Sequence, residues 1–157
     1  MANKNIFEVQ AIVPLSHNCL FLPIFHAIIY KVRIFKNKAF HQYAKNEGIA
    51  DSELKEVVKQ LEKGQYYADL GGSIYKMELA RKGKGKHGGY RSIVVFKNDF
   101  RTIFLYVFPK LKKDNINDKE LRFFKGKAKD NLSFTEEQIN LLVKSKILIE
   151  ILQGDEK

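Results

Sequence analysis

The sequence predicts an α+β domain in which an antiparallel sheet is preceded and followed by helices. Apolar residues recur at helical spacing between residues 38 and 64. Residues 73–80, 91–97 and 101–108 are alternating or continuously β-branched and aromatic, and helical spacing returns after residue 118. At 157 residues the chain has the length of one domain and can bury a core without disulfide or metal staples.

Taken in order, Val32–Phe35 reads as a short strand. Phe40, Tyr43 and Ala44 then share one face of a helix that Gly48 stops. Asp51 or Ser52 caps a second helix, in which Leu54, Val57, Val58 and Leu61 form the apolar stripe, and Gly64 closes it. The two helices make an N-terminal helical hairpin. A turn at Gly71-Gly72 leads into a strand with Tyr75, Met77 and Leu79 on its inner face and Lys76 and Glu78 on its outer one. Residues 91–97 and 101–108 are apolar on both faces, which marks central strands, and Asn98–Phe100 joins them as a hairpin. A helix over Asp118–Lys129 carries Leu121, Phe124 and Ala128, and Thr135 with Gln138 opens a last helix reaching about Leu152.

The formal net charge is +10. Lysine and arginine titrate far above neutrality, so the excess persists in the cell. It points to a polyanionic partner, most often nucleic acid, although an anionic membrane surface or an acidic protein satisfies the same balance. Cys19 is the sole cysteine, which excludes an intramolecular disulfide and fits a reducing compartment. His17, His26, His41 and His87 show no ligand spacing. No metal or cofactor is expected.

Residues 11–30 are mostly apolar but are broken by Pro14 and Pro23. The longest near-clean run, Cys19–Tyr30, falls short of the roughly 20 residues a spanning helix needs, so stable membrane insertion is not expected. One lysine precedes the run and no small-x-small cleavage site follows it, so a signal peptide is not expected either.

Between the first and second strands of the meander lies ARKGKGKHGGYRS, residues 80–92, where Arg81, Lys82, Lys84, Lys86 and Arg91 are spaced by glycines. Gly83, Gly85 and Gly88 match a dinucleotide fingerprint formally. However, a strand rather than a helix comes next, and the Gly-Lys-Ser/Thr of a P-loop is absent. In isolation such a loop reads as a solvated connection whose lysines keep the domain soluble. Two features point beyond that: its charges run into both flanking strands, and Lys110, Lys112 and Lys113 form a second cluster at the end of the third strand. In an antiparallel meander these ends share one edge, so the clusters converge into a basic patch suited to a phosphodiester backbone.

ADLGGSIYKMELAR (68–81), GKGKHGGYRSIVVF (83–96) and LYVFPKLKKDNI (105–116) together resemble the RelE/HigB-type toxins of bacterial type II toxin–antitoxin modules. The resemblance runs from Val32 to about Leu152. It implies the compact RelE-like fold, a ribosome-dependent mRNA endonuclease, and a co-expressed antitoxin, often of helix-turn-helix type. Contact with DNA would then be indirect, through the antitoxin, and the site of action cytoplasmic, with ribosomal RNA contacted alongside the message.

By position in the motif, Arg81, Lys84, Lys86, Arg91, Lys110 and Lys113 are the expected catalytic and phosphate-contacting residues. Lys82, His87, Tyr90, Phe108 and Lys112 are the expected RNA contacts. His87 stands where relatives carry a small or basic residue, and Lys112 where they are commonly acidic. Phe108, Tyr90 and Tyr106 suit base stacking or core packing alike. Two other functions are compatible with the same patch: a non-catalytic nucleic-acid-binding module and a ParE-like, gyrase-directed toxin. Residues 1–31 match nothing in the family. Because valine can be encoded by the alternative start codon GUG, the expectation is that this stretch derives from upstream translation, with a genuine N-terminal arm as the alternative.

Overall fold

A computed structural model describes residues 32–80, 88–98, 100–113 and 115–154. The chain runs β1 (Arg33–Asn37), α1 (Lys38–Glu47), α2 (Asp51–Glu62), β2 (Ala68–Gly71), β3 (Ile74–Leu79), β4 (Tyr90–Lys97), β5 (Arg101–Pro109), α3 (Asp118–Ser133), α4 (Glu136–Lys144) and β6 (Leu148–Ile151). The described strands form one sheet in the order β2-β3-β4-β5-β1-β6. The architecture is α+β, as the residue pattern predicts, and is consistent with the RelE-like fold that the resemblance implies.

Alternation along the strands separates two cores. On one face Phe40, Ala44, Leu54, Val57, Val58 and Leu61 of α1 and α2 pack on Met77, Leu79, Val94, Phe104 and Val107. The Phe40 and Phe104 rings meet at 5.2 Å between centroids. On the other face, Phe124 and Ala128 of α3 and Ile139 of α4 cover Phe35, Ile74, Ile93, Val95 and Ile103. Central strands with both faces covered have no need of alternation, which explains the continuous apolar runs of β4 and β5.

Several local expectations are corrected. The sheet is not wholly antiparallel: β1 pairs parallel with β5, Arg33 opposite Arg101 and Lys36 opposite Phe104. The last helix does not reach Leu152. It ends at Lys144, Lys146 adopts a left-handed φ of 58°, and the chain returns as β6 antiparallel to β1. The isoleucine-rich Leu148–Ile151 gains more from pairing with a neighbouring strand than from another helical turn. Ala68–Gly71 forms an edge strand that the sequence pattern did not predict. Neither Asp51 nor Ser52 caps α2. Ala50 occupies the cap position, and its N–H donates to the Glu53 carboxylate at 2.9 Å, leaving Asp51 to accept from Lys36 Nζ at 2.5 Å.

Two buried or half-buried arginines lock one end of the sheet. Arg101, 1% exposed, donates to the carbonyls of Asn131 and Phe134 and to Glu136 at 2.6 Å. Arg33 donates to Glu150 at 2.8 Å and to Glu136 at 2.7 Å. Glu136 therefore ties β1 and β5 to the α3–α4 junction. Burial alone would raise its pKa, but the hydrogen bonds from Arg33 and Arg101 outweigh that and hold it below the usual glutamate range. These cations are structural and stand at the opposite end of β5 from Pro109, so the basic excess is not all directed at a partner.

Candidate nucleic-acid interface

The register of the meander builds the other end of the sheet. Glu78 on β3 lies opposite Arg91 on β4, which lies opposite Phe108 on β5. One residue further out, Leu79 faces Tyr90 and Tyr90 faces Pro109. Residue 80 leaves β3, and Gly88 and Gly89 enter β4, from that same end. A Cβ on Gly89 would stand 2.4 Å from the Leu79 carbonyl oxygen, so the close approach of the two strand ends needs glycine there. Lys110 N–H then donates to the Gly89 carbonyl at 3.0 Å and anchors the exit of β5 beside them. Upstream, β5 bulges opposite the Ile93–Val94 step, and Asn37 Nδ2 donates to the Leu105 carbonyl within it at 2.7 Å. Such a bulge bends the strand and re-aims the side chains beyond it.

Period-two alternation sends Lys76 and Glu78 to the same face as Ile74, and Arg91 to the same face as Ile93 and Val95. Helix α3 covers the middle of that face, and its beginning frames the outer end. Glu78 stays 56% exposed, hydrogen-bonded to Arg91 and 3.8 Å from Lys110 Nζ. The Arg91 guanidinium, itself buried, lies 3.9 Å from the centroid of the exposed Tyr67 ring. Lys76 Nζ stands 5.0 Å from the same ring and donates to Asn115 Oδ1 at 3.0 Å.

Lys113 pairs with Glu120 in the first turn of α3, where Asn117 and Glu120 form a reciprocal cap. The hydrogen bond from Lys113, reinforced by the Asn117 N–H, holds the Glu120 carboxyl below its ordinary range. Among the described residues, four cations (Lys76, Arg91, Lys110 and Lys113) thus share this end with two carboxylates, an excess that favours an added phosphate.

Of the residues singled out from sequence, Arg91, Lys110 and Lys113 are brought together here. Lys112 is exposed on the same turn, its N–H bonded to the Pro109 carbonyl. Phe108 is buried under Tyr106 and Lys113, with the Lys113 ammonium 5.7 Å from its ring centroid. Tyr90 points to the opposite face, where it packs edge-on to Tyr43 and bonds Glu47. Arg81, Lys82, Lys84, Lys86 and His87 lie outside the described residues.

Tyr67, Lys76, Glu78 and Asn115 escape a reading of the sequence. Alternation places Lys76 and Glu78 toward solvent, yet Lys76 is 6% exposed because Tyr67 and Asn115 close over it.

Residues 32–151 match the family described as RelE toxin of the RelE/RelB toxin–antitoxin system. The chain belongs to the RelE toxin family. No curated protein matches it. RelE-family membership makes it the toxin component of a toxin–antitoxin system, which implies a cognate antitoxin. Among the described residues, no helix is long and apolar enough to cross a membrane, and no cluster of histidine, cysteine and carboxylates could hold a metal.

Proposed function

We propose that this RelE-family toxin is a ribosome-dependent mRNA endoribonuclease, working in the cytoplasm on messages held in the decoding site. Family membership supports a toxin, and the family's members are generally endoribonucleases. The observation that carries the reading is the row Glu78–Arg91–Phe108 at the open end of the meander, with Lys110 joining it from the end of β5.

RNA supplies its own nucleophile. The 2′-oxygen bonds to the adjacent phosphorus, the bond from phosphorus to the 5′-oxygen breaks, and the products are a 2′,3′-cyclic phosphate and a 5′-hydroxyl. The protein must align the ribose, take the 2′-proton, protonate the leaving oxygen and stabilise charge on the phosphorane. Arg91, held over the Tyr67 ring, presents N–H donors to two phosphate oxygens. Lys110 and Lys113 add charge from the β5 exit, and in this reading Arg81, Lys84 and Lys86, by their place in the family motif, are further phosphate contacts. A phosphate that takes Arg91 and Lys110 frees Glu78 to accept the 2′-proton, and a lysine ammonium returns a proton to the 5′-oxygen. Lys82, His87 and Lys112 extend the basic surface along the message and ribosomal RNA. The antitoxin in this reading is a helix-turn-helix protein, and the toxin meets DNA only through it.

The test is brief induction and then primer extension on a translated and an untranslated copy of one transcript. Cuts confined to the translated copy are expected. Growth arrest without RNA cuts would favour the gyrase-directed relative, and neither effect would favour a binding module.

A further inference from the structure

Beside the phosphate-binding end there is a cavity of about 250 Å³ lined by Gln60, Gln65, Tyr66, Tyr67, Met77 and Glu78. It exists because β2 is short. Pairing of β2 with β3 runs only as far as Ala68 opposite Lys76, and the Tyr67 N–H makes the last bond to the Lys76 carbonyl at 3.0 Å. The outer half of β3, from Met77 onward, is left with an uncovered edge. The end of α2 brings Gln60 alongside it, and Gln65 N–H bonded to the Gln60 carbonyl at 2.8 Å fixes the loop that carries both tyrosines.

We infer that this cavity is a nucleobase subsite, in which a base of the message stacks on Tyr67, with Tyr66 beside it in the lining, while Gln60 and Gln65 read its edge. The inference rests on the ribonuclease reading above and adds to it the element that selects where the message is cut.

The chemistry of the lining supports a base over other ligands. The space takes one planar ring system and is smaller than a drug-sized ligand needs. Both tyrosines are about half exposed, at 48% for Tyr66 and 54% for Tyr67, so their rings are available without unfolding anything. Tyr66 is braced by Tyr75, centroids 5.1 Å apart, and Tyr67 by the Arg91 guanidinium. Rings already immobilised lose little entropy on stacking. A glutamine amide carries donor and acceptor side by side, the arrangement that pairs with a base edge, and among the described residues neither Gln60 nor Gln65 spends its amide on a hydrogen bond. Glu78 lines the cavity and also bridges Arg91 and Lys110. Base and phosphate of one nucleotide can therefore occupy the cavity and the cation row together.

The experiment uses the full chain with ribosomes in two arms. First, cut sites are mapped across many translated messages for wild type, the double variant Gln60→Ala/Gln65→Ala, Tyr67→Ala and Tyr67→Phe. Second, wild type is irradiated on ribosomes whose decoded codon is 2′-O-methylated and contains 4-thiouridine, and the cross-linked peptide is identified. Loss of the glutamines is expected to flatten the base preference at one fixed position relative to the cut. Tyr67→Ala is expected to lower cutting by roughly 5- to 150-fold, with Tyr67→Phe retaining more than Tyr67→Ala. The cross-link is expected on Tyr66 or Tyr67.

A cut profile for the glutamine variant that superimposes on wild type, with no cross-link at either tyrosine, would overturn the subsite while leaving the ribonuclease reading intact. Wild type that cuts nothing would end the ribonuclease reading. In that case the cross-link alone decides, its presence at Tyr66 or Tyr67 upholding base binding and its absence ending it.

Discussion

Glu78 and Arg91 face each other across β3 and β4, carboxylate to guanidinium, and Lys110 reaches the same carboxylate from the end of β5 at 3.8 Å. A cross-strand pair of opposite charge is ordinarily a modest sheet contact. Here it holds two cations side by side, with their acidic partner 56% exposed and displaceable.

Arg91 is the residue whose loss should cost most. Its guanidinium is stacked on Tyr67 and shaped for bidentate phosphate contact, neither of which lysine reproduces. Arg91→Ala should lower cleavage of a translated message by about 10²- to 10³-fold, and Arg91→Lys should not restore it. Cleavage rates on a defined message check this, with thermal melting of each variant as the folding control.

Lys112 is exposed, so its removal should leave stability within about 0.5 kcal/mol of wild type. If it meets a phosphate, Lys112→Ala should weaken ribosome binding at low salt. It should also reduce the slope of log affinity against log salt by roughly one unit. Binding titrations at several salt concentrations read both effects.

Gly89 is fixed by sterics rather than charge. An added methyl would meet the Leu79 carbonyl at 2.4 Å, and a backbone oxygen cannot rotate away. Gly89→Ala should destabilise the domain by about 1–3 kcal/mol, as overpacking does, and splay the strand ends that carry the site. Denaturant unfolding measures the first effect, and loss of toxicity beyond that of an equally destabilised core variant reveals the second.

Glu136 contributes to the acid sensitivity of the fold. Its carboxyl in the folded state lies below the ordinary glutamate value of 4.5, burial opposing and Arg33 and Arg101 favouring the charged form. A depressed folded-state pKa contributes stability that is present above that ordinary value and is lost as pH falls through the folded one. Melting temperature should therefore fall as pH drops below that ordinary value, and Glu136→Gln should flatten that limb while lowering stability near neutrality. Parallel pH profiles for the two proteins would contradict this role.

Much of the fold was legible because it is local. The stripe Leu54, Val57, Val58 and Leu61 is buried as its spacing required, Gly48 does end α1 in the left-handed region, and Thr135 with Gln138 does cap α4. The elements that were not legible depend on distant partners. The β6 strand exists because β1 offers it an edge, and β1 runs parallel to β5 only after α1, α2 and three strands intervene. The site divides in the same way. Arg91, Lys110 and Lys113 could be placed together because the ends of a meander must meet. Tyr67, Lys76 and Asn115 could not, since their meeting depends on how far β2 extends and how the chain enters α3.

The most direct test of the central claim is the chemistry of the RNA ends. Purified wild-type toxin and Arg91→Ala would be added to ribosomes translating a defined message, and the fragments' termini determined. Wild type should leave 2′,3′-cyclic phosphate and 5′-hydroxyl ends within the translated region, with Arg91→Ala cutting about 10²-fold less or slower. Intact message with the wild type, or 5′-phosphate ends, would contradict the assignment of this end of the sheet as a ribonuclease site.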